Sequence, residues 1–310
     1  MGVTQVAVAT QAPPEADARA RRTTPLVRWL ALAVLIGNAL IIVTGAAVRL
    51  TGSGLGCPTW PRCTDSSYTN TAALGIHGYI EFGNRLLTIV VALVVGAAIV
   101  AAVLGRPRRR ALVALALAQF GGFVAQAVVG GITVRTSLNP WSVSLHFGVS
   151  AALVYGAYAL WVRSGEGDGP REYAGPPPLV WLGRGVAISA GAVLLVGTVV
   201  TGSGPHAGDD HATRTGLDPA QVAQLHADAV FLLVGLTIAA ILAYAATGHR
   251  ALRDAALVLL AAELAQGAIG FTQYFTGLPV LLVGLHVAGS AALWIAALRV
   301  LFLTRVRPTA

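Results

Sequence analysis

Lysine is absent from this chain, and all 21 basic residues are arginine. Charge of any kind is scarce at 11%, and 310 residues hold only two cysteines and one methionine. The arginine-only set reads as codon bias and carries no functional content. So small a charged fraction excludes an ordinary soluble domain, where about a quarter of residues are charged. Two cysteines on one loop are too few ligands for a cysteine-built metal site. A pI near 10.3 raises the question of nucleic acid. The arginines, however, are scattered between apolar runs, so membrane topology explains them better and no nucleic-acid partner is expected.

What is abundant is apolar. Hydrophobic residues make up 55% of the chain and the mean hydropathy is +0.71, values of a protein that lives in a lipid bilayer. The pattern predicts eight transmembrane helices, at about 29–48, 73–104, 111–131, 141–162, 178–200, 221–246, 255–274 and 280–303. The first run has a competing reading as a signal peptide, because Gly45-Ala46-Ala47 resembles a small-residue cleavage site. Its length, and its counterpart in the second half, favour a retained span. Arginines 19, 21, 22, 28, 106, 108, 109, 110, 163, 171, 184, 250, 253, 299, 305 and 307 fall on the side of the N-terminus. Only Arg49, Arg62, Arg85, Arg135 and Arg214 fall on the other side. This bias puts both termini in the cytoplasm.

The chain divides into a disordered cytoplasmic tail (1–25), a four-helix half (26–164), a cytoplasmic linker rich in Gly, Pro and charge (165–178) and a second four-helix half (179–310). The halves resemble each other. Leu145–Leu153 returns as Leu285–Leu293 at a constant offset of 140, and at that offset Gln126 falls on Gln266, Gly130 on Gly270 and Leu138 on Leu278. Four helices per half imply a parallel repeat about an axis along the membrane normal.

The repeat carries histidines. His146 and His286 each begin an apolar run near the outer face, and His226 sits near the outer end of the sixth span. An ionisable residue inside a span is costly and usually marks a site, with its partner on a neighbouring helix. His226 and His286 are placed to bind one haem iron from opposite faces, since neutral imidazole is a good axial ligand and the porphyrin is itself apolar. Hydrogen bonding of such histidines to backbone or to each other is the alternative. In the first half the position matching His226 holds Asn84, and His77, Glu81 and Arg85 form an i, i+4, i+8 row on the same helix. Glu81 either pairs with Arg85 or presents a carboxylate to a substrate.

The outer loops repeat too: Thr51-Gly52-Ser53-Gly54 is echoed by Thr201-Gly202-Ser203-Gly204. The first copy continues into Cys57-Pro58-Thr59-Trp60-Pro61-Arg62-Cys63, whose spacing permits a disulfide, structural or redox-active. The second continues into Pro205-His206-Ala207-Gly208-Asp209-Asp210-His211, an exposed polar loop or, less simply, a metal site. His249, beside Arg250, reads as interfacial.

The whole pattern after residue 25 resembles the heme A synthase family of membrane haem-modifying oxidases. The resemblance rests on eight spans in two halves, the Gly54–Cys63 run, Glu81 with Arg85, and the histidines at 146, 226 and 286. It implies oxidation of the C8 methyl of heme O to a formyl group, giving heme A for aa3-type terminal oxidases. It further implies a resident haem b on His226 and His286, and a substrate heme O in the first half on His146. A required glutamate maps onto Glu81, and a disulfide onto Cys57 and Cys63. The implied setting is a bacterial cell membrane. Implied partners are O2 or water, an electron carrier, and association with heme O synthase and oxidase assembly factors. One departure stands out. The family's usual element is Glu-x-x-His-Arg, and Asn84 occupies its histidine position. Either His77 substitutes from higher on the helix, or His146 alone holds the substrate iron and Asn84 hydrogen-bonds a bound water or O2. A cysteine pair found in the second-half outer loop of some relatives is also absent, with His206 and His211 in that loop instead.

Two rival classes use the same features. A di-haem b-type cytochrome passing electrons from quinol would employ the same histidines but gives no reason for Glu81. A transporter would share parallel repeats and buried polar groups, yet no pair of Gly/Pro-broken helices lies at midplane.

Overall fold

The structure, a computed structural model, describes residues 25–307. The tail expected over residues 1–25 therefore lies outside the described residues, except for Pro25. Eight helices follow: α1 (Pro25–Leu50), α2 (Gly75–Leu104), α3 (Arg110–Arg135), α4 (Pro140–Gly165), α5 (Pro177–Ser203), α6 (Pro219–Ala246), α7 (Arg250–Phe275) and α8 (Val280–Leu303). The shortest has 24 residues and the longest 30. At 1.5 Å per residue they reach roughly 36–45 Å, more than the ~30 Å hydrocarbon core of a bilayer. All eight are long and apolar enough to cross a membrane. The only strands among the described residues are β1 (Glu172–Tyr173) and β2 (Arg305–Val306), paired antiparallel.

Local chemistry sets the helix ends. α4 and α6 each open with proline at the first helical position. Asn139 caps α4 by accepting from the Trp141 amide, and Asp218 caps α6 by accepting from the Ala220 amide. Proline lacks only an N–H that has no intrahelical partner there, and the cap satisfies another. α3 and α7 end alike. The Leu138 amide reaches back to the Thr133 carbonyl at 2.9 Å and the Leu278 amide to the Gln273 carbonyl at 2.7 Å. Leu138 and Leu278 sit in the left-handed region, at φ 59° and 60°. That conformation costs a leucine about 1–2 kcal/mol. Its occurrence at both positions of the 140-residue offset shows that the two turns share one geometry.

Each half is a ring of four helices. α1 and α3 each pack on α2 and α4, which leaves α2 and α4 diagonal; α5 and α7 each pack on α6 and α8, with α6 and α8 diagonal. The halves meet where α1 packs on α8 and α4 on α5 and α8, and the Trp294 indole donates to the Ala151 carbonyl across the seam at 3.0 Å. Lipid offers no hydrophobic drive between helices, so close packing of small residues and buried hydrogen bonds hold the bundle. A side chain on Gly37 would meet Val91 at 2.8 Å. Asn38 donates to Gln119 at 3.3 Å and Gln119 to the Leu153 carbonyl at 3.1 Å; in the second half Thr237 donates to Glu263 at 2.8 Å. Outward-facing leucines and isoleucines such as Leu93, Ile188 and Leu281 are exposed, as a lipid-facing surface requires.

The segment between the halves is strapped down. Arg109 pairs with Asp168 at 2.9 Å, and Arg163 pairs with Glu166 at 3.0 Å and Asp168 at 3.1 Å. Arg307 donates to the Gly169 carbonyl at 3.0 Å, beside the β1–β2 ladder.

Candidate functional site

The second half brings two of the predicted residues together. His226 is the eighth residue of α6 and His286 the seventh of α8, so both lie about two turns in from the same end of the bundle. Because α6 and α8 are diagonal, the two rings face each other across the interior, with centroids 6.4 Å apart and planes at 76°. The Nδ1 atom of each is buried without a hydrogen-bond partner. A glycine on the neighbouring helix makes room for each ring. A Cβ at Gly197 of α5 would lie 3.1 Å from His226 Cε1, and one at Gly270 of α7 would lie 3.3 Å from His286 Cε1.

Each Nδ1 lies toward the neighbouring helix, 3.6 Å from a Cβ at Gly197 and 3.8 Å from one at Gly270. The gap between the rings suits a metal, since an imidazole nitrogen binds at about 2 Å and centroids 6.4 Å apart leave space for a single ion. Among the described residues no three His, Cys, Asp or Glu side chains gather around a bare ion. Two histidines in an apolar interior therefore suit an iron that brings its own equatorial ligands, as haem does. The residues present fit that group.

The first half is built differently at the same depth. His146, the seventh residue of α4, lies over Gly130 of α3, where a Cβ would come within 3.0 Å of its Cε1. Its Nδ1 is also buried and unpartnered. Gln126 sits beside it, donating to the His146 carbonyl at 3.2 Å and the Ser150 hydroxyl at 2.6 Å. Across the ring, on α2, no second histidine faces His146 among the described residues. The Asn84 side-chain oxygen accepts from Thr44 of α1 at 2.7 Å, and the exposed His77 pairs through Nδ1 with Ser53 at 2.9 Å. Of the predicted row, only Glu81 and Arg85 bond to each other.

Glu81 is 6% exposed and both of its oxygens are engaged. Arg85 donates to Oε1 through Nη2 at 2.6 Å and Nε at 3.1 Å, while the Cys57 amide donates to Oε2. The same guanidinium holds the carbonyls of Cys57, Thr59 and Arg62, each at 3.2 Å. Cys57 and Cys63 form a disulfide and are both fully buried. Trp60, at the tip of that loop, lies over Gly131, next to the glycine that accommodates His146; a Cβ there would come within 2.5 Å of the indole. The disulfide loop thus caps the end of the first bundle nearer His146, fastened by the Glu81–Arg85 pair.

In the second outer loop, the His206 ring pairs with the Leu278 carbonyl at 3.0 Å and Asp209 accepts from the His211 amide at 2.9 Å. A cavity of about 530 Å³ opens beside this loop.

Residues 28–298 match the family model described as cytochrome oxidase assembly protein. The chain belongs to that family. Similar proteins include the heme A synthase of Lysinibacillus sphaericus, 35% identical over 130 residues, which is 40% of each chain. The heme A synthase of Geobacillus kaustophilus is 30% identical over 125 residues, 39% of this chain and 37% of that one. That of Bacillus cereus is 29% identical over 125 residues, 40% of each. The chain spans about two fifths of the length of these relatives.

For a member of the cytochrome oxidase assembly protein family, the residues that sequence reasoning passed over are the glycines. Gly130 and Gly270 had surfaced only as markers of the repeat, although each precedes its histidine by 16 positions. Gly197 left no such trace. The Thr51/Thr201 alignment sets it against Ala47, so the fourth corner of the pattern lacks both the histidine and the glycine.

Proposed function

We propose that the protein is a heme A synthase, oxidising the C8 methyl of heme O to a formyl group through two successive two-electron steps. The observation that carries this reading is the asymmetry between the halves. One half presents a facing histidine pair, suited to a resident haem b that never leaves. The other presents a single histidine, His146, beside a buried carboxylate under a fastened cap, suited to a haem that enters as substrate and departs as product. The relatives named heme A synthase support the same assignment.

A haem held by His226 and His286 supplies one-electron transfer when bound. The chain's own residues do the rest. His146 orients the substrate iron, and Gln126 fixes the backbone around His146. Arg85 and the Cys57 amide hold the Glu81 carboxyl stationary, and a polar group fixed in advance is what stabilises developing positive charge at the methyl carbon. The disulfide loop excludes water from above. O2 or water provides the oxygen atom and a separate electron carrier completes the cycle. The two halves form a parallel repeat in a bacterial cell membrane, with both termini cytoplasmic as the arginine bias directs. Heme O synthase and oxidase assembly factors are the partners that such a lipid-soluble substrate and product call for.

The test is co-expression with a heme O synthase, followed by extraction of membrane haems and separation by chromatography with mass detection. Heme A with its hydroxylated precursor is the expected product. Heme O left unmodified, in a protein with an intact low-spin spectrum, would replace this reading with that of an electron-transferring di-haem cytochrome.

A further inference from the structure

The cavity of about 530 Å³ lies at the outer end of the second bundle and is lined by groups from both halves, including Arg49, Arg214, Ala223, Gln273, Val283 and Val287. Two arginines meet there. Arg49, at the end of α1, reaches across the seam. Its Nη2 donates to the Thr201 carbonyl at 2.6 Å and its Nε to the His206 carbonyl. Arg214 comes from the loop before α6, close enough for the two guanidinium groups to repel. Neither has an ion pair among the described residues, and no acidic side chain lines the cavity. Like charges held together at a membrane boundary without a counter-charge are costly. Gln273 adds a buried, unpartnered side-chain oxygen. Its two amide ends are interchangeable by rotation, so it can present a donor instead. The lining as a whole calls for an anion that accepts hydrogen bonds.

Position says which anion. Ala223 precedes His226 and Val283 precedes His286 by about one helical turn, and Val287 follows His286, so the cavity lies about one turn from the histidine pair, although neither histidine lines it. We propose that this cavity seats the propionate carboxylates of the haem held by His226 and His286, with Arg49 and Arg214 as their cationic partners. The proposal rests on the reading that this pair binds haem. It adds that the first half contributes to the resident site through Arg49, and that the haem lies with its carboxylates outward. A phospholipid headgroup shares the chemistry but does not account for a cavity about one helical turn from both histidines.

The experiment uses the full-length protein, depleted of haem and reconstituted in nanodiscs containing phosphatidylglycerol. It is titrated with iron protoporphyrin IX and with its dimethyl ester, whose propionates are uncharged. Wild type should prefer the free acid by roughly ten- to a hundredfold, the scale of two charge-assisted hydrogen bonds. R49Q/R214Q should bind both forms alike, at the level of the ester, and R214Q alone should lose part of the preference. R214Q breaks no hydrogen bond found among the described residues and guards against misfolding of the double variant, while R49K should retain the preference. Equal weakening of acid and ester in the variants would mean a structural role only and overturn the proposal. Loss of co-purified phosphatidylglycerol with an unchanged acid preference would assign the cavity to a lipid headgroup and also overturn it. Wild-type protein that binds both forms equally sinks this inference alone, whereas binding of neither sinks the haem reading itself.

Discussion

The two halves of this molecule share one ring of four helices and differ at its inner corners. In the second, His226 and His286 approach from diagonal helices, each lodged against a glycine, and close on each other at 6.4 Å. In the first, His146 is lodged in the same way against Gly130, but the diagonal helix offers Asn84, already bonded to Thr44. In place of a fourth histidine there is Glu81, pinned beneath a disulfide loop. The second outer loop has no such cap and lies beside a cavity lined by two arginines. Two rings with the same order of packing thus differ at one corner, where His226 stands in the second and Asn84 in the first.

The largest effect should come from breaking the closed pair. His226→Ala or His286→Ala is expected to remove the low-spin haem signal entirely in reduced-minus-oxidised spectra of purified protein. A retained signal in either variant would take that histidine out of the ligand set. Next is Glu81→Gln, which keeps the size and loses the charge. Heme A yield should fall by roughly 10²–10³-fold, the usual cost of removing one preorganised electrostatic group, with the resident signal intact. Unchanged yield would leave Glu81 as no more than the fastener of the loop.

A smaller effect is expected from making the first half resemble the second. Asn84→His combined with Ala47→Gly restores the missing ring and its notch, and the isolated protein should retain several-fold more heme O per resident haem. No change in bound heme O would mean that α2 does not face the substrate iron. The smallest effects belong to the notches themselves. Gly197→Ala places a methyl 3.1 Å from His226 and Gly270→Ala one 3.3 Å from His286. Each should weaken haem retention by an overpacking cost on the order of 1 kcal/mol, the first more than the second. The reverse order, measured by haem loss to a scavenger, would show that the rings are not held by these glycines.

The eight helices were legible because each apolar run is long enough to cross a bilayer and is punctuated by Pro, Gly or Arg. The 140-residue offset also paired Leu138 with Leu278, though the left-handed conformation that both adopt was not legible from it. The Glu81–Arg85 pair was one of two readings open for that spacing, and the structure shows it formed. The Thr44–Asn84 bond, the passage of Arg49 into the other half, and the notch at Gly197 were not legible. Each depends on which helices become neighbours, and α1 and α5 follow a different offset from the later helices because the two outer loops differ in length. Glu263 was passed over for a related reason. A single carboxylate in an apolar run stands out only once Thr237 is seen to bond it at 2.8 Å.

The small β1–β2 ladder has a mechanical consequence. It joins the crossover between the halves to the strand that follows α8, and the Ala174 amide, bonded to the Thr304 carbonyl at 3.0 Å, extends the join by one more rung. A two-stranded ladder is marginal alone, but here Arg163, Arg109 and Arg307 brace the same segment. The opposite rim is tied across the halves too, by Arg49 and by the Gly54 amide donating to the Gly208 carbonyl at 2.8 Å. The two four-helix rings are therefore fastened to each other at both ends, and a strain applied at one rim is resisted at the other.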